Sequence, residues 1–348
     1  MSIPVECLEN LQLDNGWTVT SKITKRPENT GGNFSSGYIV QKGEIKAFLK
    51  AFDFSVVLNY SPDKQPEILN QQLEIFNFEK ELLEKCKNSH MNKIVIPIDS
   101  GSVQINGFPD FFGRVYYIIF ELADGNIRNI QEQFTNLDLA FIFRSLHNIA
   151  VGINQLHHAG IAHQDIKPSN ALVFKNETKL SDLGRASDAS HPFLYDDGIP
   201  GDQNYSAIEQ FYNFRAHGDI TDRFAADLYT FGSLFFFYFG NLSFSTILIK
   251  KLQDKKILSV TNSFETDLPG LIRIYEEIMI DFNTVLLNYV TSDVAEQITN
   301  IVKSLCHPDP RQRGHRKNIA QGFSQYSLER YITEINILAE KAELKLIK

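Results

Sequence analysis

Apolar and polar residues alternate over residues 17–23, 37–40 and 45–50, the period-two pattern of half-buried strands, with a turn at Lys42-Gly43 between the last two. A polar, proline-containing stretch at 61–66 follows. Residues 68–86 then change to helical spacing, with Ile68, Leu69, Leu73, Phe76, Leu83 and Cys86 on one broad face. Residues 94–98 and 115–120 read as two more strands, joined by a segment holding Gly101, Gly107, Pro109 and Gly113. From residue 136 the pattern is mainly helical. Residues 139–157 form one long apolar-periodic helix. Val294, Ile298, Ile301, Val302 and Leu305 stripe another, which Pro308 and Pro310 stop. A strand-rich first third before a helix-rich remainder predicts an α+β chain with two lobes. Residues 327–347 carry Leu328, Tyr331, Ile332, Ile335, Leu338, Ala342 and Leu346 between charges, an amphipathic helix that either packs back on the body or serves self-association.

Composition narrows the function classes. The 348 residues suffice for two lobes, and 43% hydrophobic with 22% charged residues is ordinary for a globular protein. A net charge of −8 gives no positive field for nucleic acid or an acidic membrane surface, so neither partner is expected. Cys7, Cys86 and Cys306 are sparse, odd in number and far apart, poor material for disulfides or a zinc site, and a cytoplasmic location is expected. Residues 1–10 lack the basic-then-apolar order of a signal peptide. The apolar run 229–249 has the length of a membrane span, but Gly232, Gly240 and Asn241 interrupt it and Asp227 precedes it, so a membrane span is not expected.

The most informative segment is His163-Gln164-Asp165-Ile166-Lys167-Pro168-Ser169-Asn170, preceded by Leu156-His157-His158-Ala159-Gly160-Ile161. It resembles the catalytic loop of eukaryotic-type (Hanks-type) protein kinases. The resemblance implies a two-lobed kinase fold, ATP and Mg2+ as cofactors, and a protein substrate. It makes Asp165 the base beside the attacking hydroxyl, Lys167 a cation for the phosphate in flight, and Asn170 a magnesium ligand. Ser181-Asp182-Leu183-Gly184 follows in the place of the family's D-F-G, which makes Asp182 the second metal ligand. Ala47-Phe48-Leu49-Lys50 resembles V-A-I-K, so Lys50 is the phosphate-binding lysine. Its partner is read as Glu79 on the 68–86 helix, with Glu81 as the runner-up.

Other elements resemble the family more loosely. Residues 30–38 match the glycine-rich loop at Gly32 and Phe34, while Thr30 and Ser35 stand where the other two glycines fall. Phe120-Glu121-Leu122-Ala123 resembles the hinge, with backbone groups of Glu121 and Ala123 reading adenine. Glu209 is in position to pair with Arg313, and Asp227 to accept hydrogen bonds from the catalytic-loop backbone. Implied boundaries are 1–123 for the N-lobe, 124–322 for the C-lobe and 323–348 for the terminal helix.

Four departures bear on activity. Gln164 replaces the arginine that binds an activation-segment phosphate, Phe48 an alanine beside adenine, Asp202 a threonine near the catalytic pair, and Ile208 a proline. Lys167 favours the Ser/Thr class. The readings left open are an active Ser/Thr protein kinase, a catalytically silent kinase-like binding module, and a small-molecule phosphotransferase of related fold.

Overall fold

The computed structural model describes residues 3–24, 35–108, 112–133, 136–175, 177–191, 199–255, 263–322 and 324–347. They fall into two compact units, Met1–Asp124 and Gly125–Lys348. The first is built on an antiparallel sheet of β1 (Thr18–Lys22), β2 (Ser35–Lys42), β3 (Ile45–Phe52), β4 (Pro97–Gln104) and β5 (Arg114–Glu121), in the order β1-β2-β3-β5-β4. Alternation decides which side chains are buried. Tyr38 and Val40 of β2, Ala47 and Leu49 of β3, and Tyr117 and Ile119 of β5 enter one core with Leu8, Trp17 and Val19. The opposite face of the sheet carries Gly37, Ile39, Phe48, Lys50 and Phe120. Helix α1 (Gln65–Asn88) buries Phe76, Phe78, Glu79, Leu82, Leu83 and Cys86. Phe76 meets Phe52 edge to face, with ring centroids 4.7 Å apart.

One strand lies elsewhere than its pattern suggests. Residues 94–98 look like a strand and Gly101 like part of a connection, yet β4 starts at Pro97 and runs through Gly101. That glycine is a site of close approach: a Cβ there would lie 2.8 Å from Cζ of Tyr117, its partner across the sheet.

The second unit opens with β6 (Gly125–Asn126), α2 (Ile127–Gln131) and α3 (Leu139–His158), the last capped by the Asp138 carboxylate on the Phe141 amide. A small sheet joins β6 to β7 (Ala171–Phe174) and β8 (Glu177–Leu180). The helices α4 (Ile220–Gly240), α5 (Phe244–Asp254), α6 (Phe264–Leu286), α7 (Ser292–Leu305), α8 (Arg316–Gln321) and α9 (Glu329–Glu343) follow. The long apolar run is split between α4 and α5. Asn241, in the left-handed conformation (φ 56°), ends α4, and α5 leaves at 84°. Every residue of α4 from Ala225 to Phe239 is buried. Among the described residues no single helix is long and apolar enough to cross a membrane. The stripe of α9 (Tyr331, Ile335, Leu338, Ala339 and Ala342) is buried within this unit, where Arg144 of α3 forms a two-pronged pair with Glu343 at 2.9 and 3.0 Å.

Candidate active site

Helix α3 delivers the chain into the loop at 161–170, and α4 holds that loop in place. Asp227, wholly buried, accepts the backbone N–H of His163 at Oδ2 and of Gln164 at Oδ1, both at 2.7 Å. Its Oδ2 also lies 2.9 Å from Nε2 of His157. Two charge-assisted bonds to adjacent amides fix the loop's direction and keep Gln164 left-handed, φ 62°, a conformation non-glycine residues seldom adopt.

The chemistry-bearing residues converge on Asp165. Lys167 Nζ lies 2.9 Å from its Oδ2. The Asn170 side-chain amide donates to both the carbonyl and Oδ2 of Asp165, each at 2.9 Å. Asp165, Lys167 and Asn170 are all buried, so these bonds form in a region of low dielectric. Burial pushes the Asp165 carboxyl up from its ordinary value, the Lys167 ammonium opposes this, and the negative charge of Asp182 adds to it.

Asp202 lies next to Asp165. It meets Asp165 through its backbone N–H, which donates to Oδ1 at 3.0 Å, and its own carboxylate accepts from the backbone and side chain of Asn204 at 3.0 Å. The Asp182 carboxylate is a negative charge that bears on Asp165. Gly201 makes the approach possible, since a Cβ at its φ of 72° would lie 2.7 Å from Asp165 Oδ1.

The hairpin of β7 and β8 returns the chain beside the loop and presents Asp182. Ser181 donates to the Asn170 carbonyl through its N–H at 2.9 Å and its hydroxyl at 3.0 Å. The next residue, Asp182, is half-buried and left-handed, φ 63°. The two candidate metal ligands, Asn170 and Asp182, are thus linked through Ser181, the residue just before Asp182. Farther along, Glu209 and Arg313 form a buried two-pronged pair at 2.6 and 2.8 Å.

In the first unit, Lys50 Nζ meets Glu79 Oε1 at 2.7 Å and lies 5.1 Å from the centre of the Phe52 ring. Glu79 is buried, whereas Glu81 is exposed and takes no part. Phe48 is on the same face as Lys50 and reaches over Gly37, where a Cβ would come within 2.8 Å of its ring. Phe120 faces Phe48 across β3 and β5; Glu121 ends β5, and Ala123 lies just beyond. Gly32 and Phe34 lie outside the described residues.

One participant had no motif to announce it. Arg223 of α4 donates through Nη1 to the Ser187 hydroxyl at 2.8 Å and the Asp188 carbonyl at 3.1 Å, and Ser187 donates on to Gln164 Oε1. The available signal was its spacing, four residues before Asp227 on one helix and hence on the same face.

Comparison with known proteins agrees with this geometry. A family model described as protein kinase domain matches residues 63–323, more than half of the chain, beginning after Lys50. The chain is 31% identical over 121 residues to mitogen-activated protein kinase kinase 7 of Arabidopsis thaliana, covering 34% of this chain and 38% of that protein. It is 33% identical over 138 residues to serine/threonine-protein kinase SBK1 of Danio rerio, covering 38% and 35%. It is also 38% identical over 79 residues to stress-activated protein kinase jnk-1 of Caenorhabditis elegans, covering 22% and 17%. The matched segments thus span 38% or less of each of these curated relatives. With Asp165, Lys167, Asn170 and Asp182 gathered in order inside the matched region, the chain belongs to the protein kinase domain family.

Proposed function

We propose that this chain is an ATP- and magnesium-dependent serine/threonine protein kinase. The observation that carries the reading is the buried cluster of Asp165, Lys167 and Asn170, with Asp182 joined to it through Ser181. The donor set fits the cofactors. Asn170 spends its amide nitrogen on Asp165, and its side-chain oxygen, which the Ser169 hydroxyl reaches at 3.5 Å, keeps a lone pair as a hard ligand; Asp182 supplies a second. Among the described residues no three His, Cys, Asp or Glu side chains gather for a metal. That suits magnesium, which keeps waters and phosphate oxygens and needs only one or two protein ligands. When bound, ATP and magnesium supply the transferable phosphoryl group and neutralise its charge.

The chain's own residues then have separate tasks. Asp165 orients the substrate hydroxyl and accepts its proton at Oδ1 or Oδ2. Lys167 lowers that carboxylate's proton affinity and offsets negative charge in the transition state. Lys50, oriented by Glu79, binds the α- and β-phosphates. Backbone groups of Glu121 and Ala123, with Gly32 and Phe34, complete nucleotide binding. A reducing, cytoplasmic setting is supported by the free thiols of Cys7, Cys86 and Cys306. The buried stripe of α9 favours packing over self-association.

A second reading, a kinase-like binding module that transfers nothing, is favoured by Phe48, whose ring fills the sheet face beside Lys50 where the resemblance places adenine. Incubation of the full chain with labelled ATP, magnesium and a panel of proteins and peptides separates the two. Label on serine or threonine supports the kinase. Nucleotide binding without transfer to any substrate supports the module.

A further inference from the structure

We propose that Arg223 is a positioning residue for Asp165, acting through a hydrogen-bond relay, Arg223 to Ser187 to Gln164, that replaces the phosphate-dependent anchor. Donor chemistry gives the relay a direction. A guanidinium only donates, so Arg223 Nη1, 2.8 Å from Ser187 Oγ, must occupy a lone pair of that oxygen. The serine hydrogen is then free to point at Gln164 Oε1, its other close neighbour. This fixes the Gln164 amide with its oxygen toward Ser187.

The relay has a physical task. Gln164 is left-handed and directly precedes Asp165, so a relaxed Gln164 would turn Asp165 with it. Asp227 holds the Gln164 backbone, and Arg223, one helical turn earlier on α4, holds its side chain through Ser187. Both ends of one residue are thus clamped from one rigid helix. Ser187 is held in turn by two backbone bonds with Ala162, each 2.9 Å. It has no exposed surface, so in this arrangement it is closed to a modifying enzyme. The cation that orders the start of the segment after Asp182 already comes from α4 and is bridged by a hydroxyl. Order there needs no added phosphate.

The inference rests on the kinase reading for what Asp165 does, but the relay itself does not. Its test compares Arg223→Ala, Ser187→Ala and the double variant of the full chain by steady-state kinetics and by hydrogen exchange. Each single change should lower kcat about tenfold while KM for ATP stays within about twofold, because placement of the base is lost and nucleotide binding is kept. The double variant should be no worse than Arg223→Ala alone, since Arg223→Ala already breaks the relay and also loses the bond to the Asp188 carbonyl. Exchange should quicken in peptides covering 162–166 and 186–189. Wild-type kcat and exchange in Arg223→Ala would overturn the relay, as would single effects that multiply in the double variant. A fall in rate without faster exchange at 162–166 would also overturn it. Should Arg223→Ala fail to fold, Ser187→Ala carries the same expectations. If wild type transfers no phosphate, the kinase reading falls and the exchange measurement alone decides the relay.

Discussion

Arg313 and Glu209 meet as a two-pronged ion pair in the interior, at 2.6 and 2.8 Å, with Arg313 wholly buried. The remaining donors of Arg313 go to the carbonyls of Ala225 and His307, and its guanidinium lies 4.9 Å from the Tyr229 ring centre. The pair ties the segment after the catalytic loop to α4. Glu209→Ala leaves a buried cation without its counter-charge and should cost about 3–5 kcal/mol of stability, read from urea unfolding midpoints. A cost under about 1 kcal/mol, the range of a surface pair, would contradict this account of the interior.

Gly232 sets how closely α4 and α7 pack. A Cβ there would collide with Cys306 Sγ and come within 2.9 Å of Leu305 Cβ. Gly232→Ala should therefore destabilise by about 1–3 kcal/mol, despite alanine's better helix propensity. Cys306→Ala in the same chain should recover part of that loss, because it removes the sulfur but leaves Leu305 in place. Calorimetry on the two single variants and the double variant measures the recovery, and strict additivity would refute the steric argument.

The pH dependence of transfer follows from the surroundings of Asp165. Burial raises its carboxyl above the ordinary value and Lys167 lowers it. With Asp165 as the base, as proposed, transfer needs the deprotonated form, so kcat should fall on the acid side as pH drops through that raised value. Removing Lys167 removes the lowering influence, so Lys167→Ala should move the acid limb to higher pH as well as reduce the maximum. A limb that stays put, or moves toward lower pH, would mean another group controls it.

Much of this was legible because the catalytic loop is written contiguously. Asp165, Lys167, Asn170 and Asp182 sit on one loop and the hairpin behind it, so their order in sequence is nearly their order in space. Glu79 was separable from Glu81 by its resemblance to the family's helix glutamate, three residues before the Leu82-Leu83 pair, and the helix buries Glu79 beside Phe78, Leu82 and Leu83. What stayed hidden depended on contacts between distant segments. Gly101 looked like a chain breaker because the Tyr117 ring that requires it lies on another strand. The division of residues 229–249 into two helices depends on a single left-handed asparagine, Asn241. Arg223 carried no motif, since its partner Ser187 reaches it only through tertiary folding. The direction of the Asp202 carboxylate likewise depends on Asn204 and on the Gly201 backbone rather than on residue type.

Under the proposed function, Asp165 places a substrate hydroxyl for transfer from ATP. The most direct test of this role is phosphate transfer by wild type and Asp165→Asn, with magnesium-dependent ATP affinity measured on the same samples. Asparagine keeps the size and can still accept from the Asp202 amide, but it can no longer take up a proton. Wild type should transfer phosphate, and the variant should keep ATP affinity within about threefold while losing at least about a hundredfold in kcat. Equal transfer by the two proteins would contradict this role.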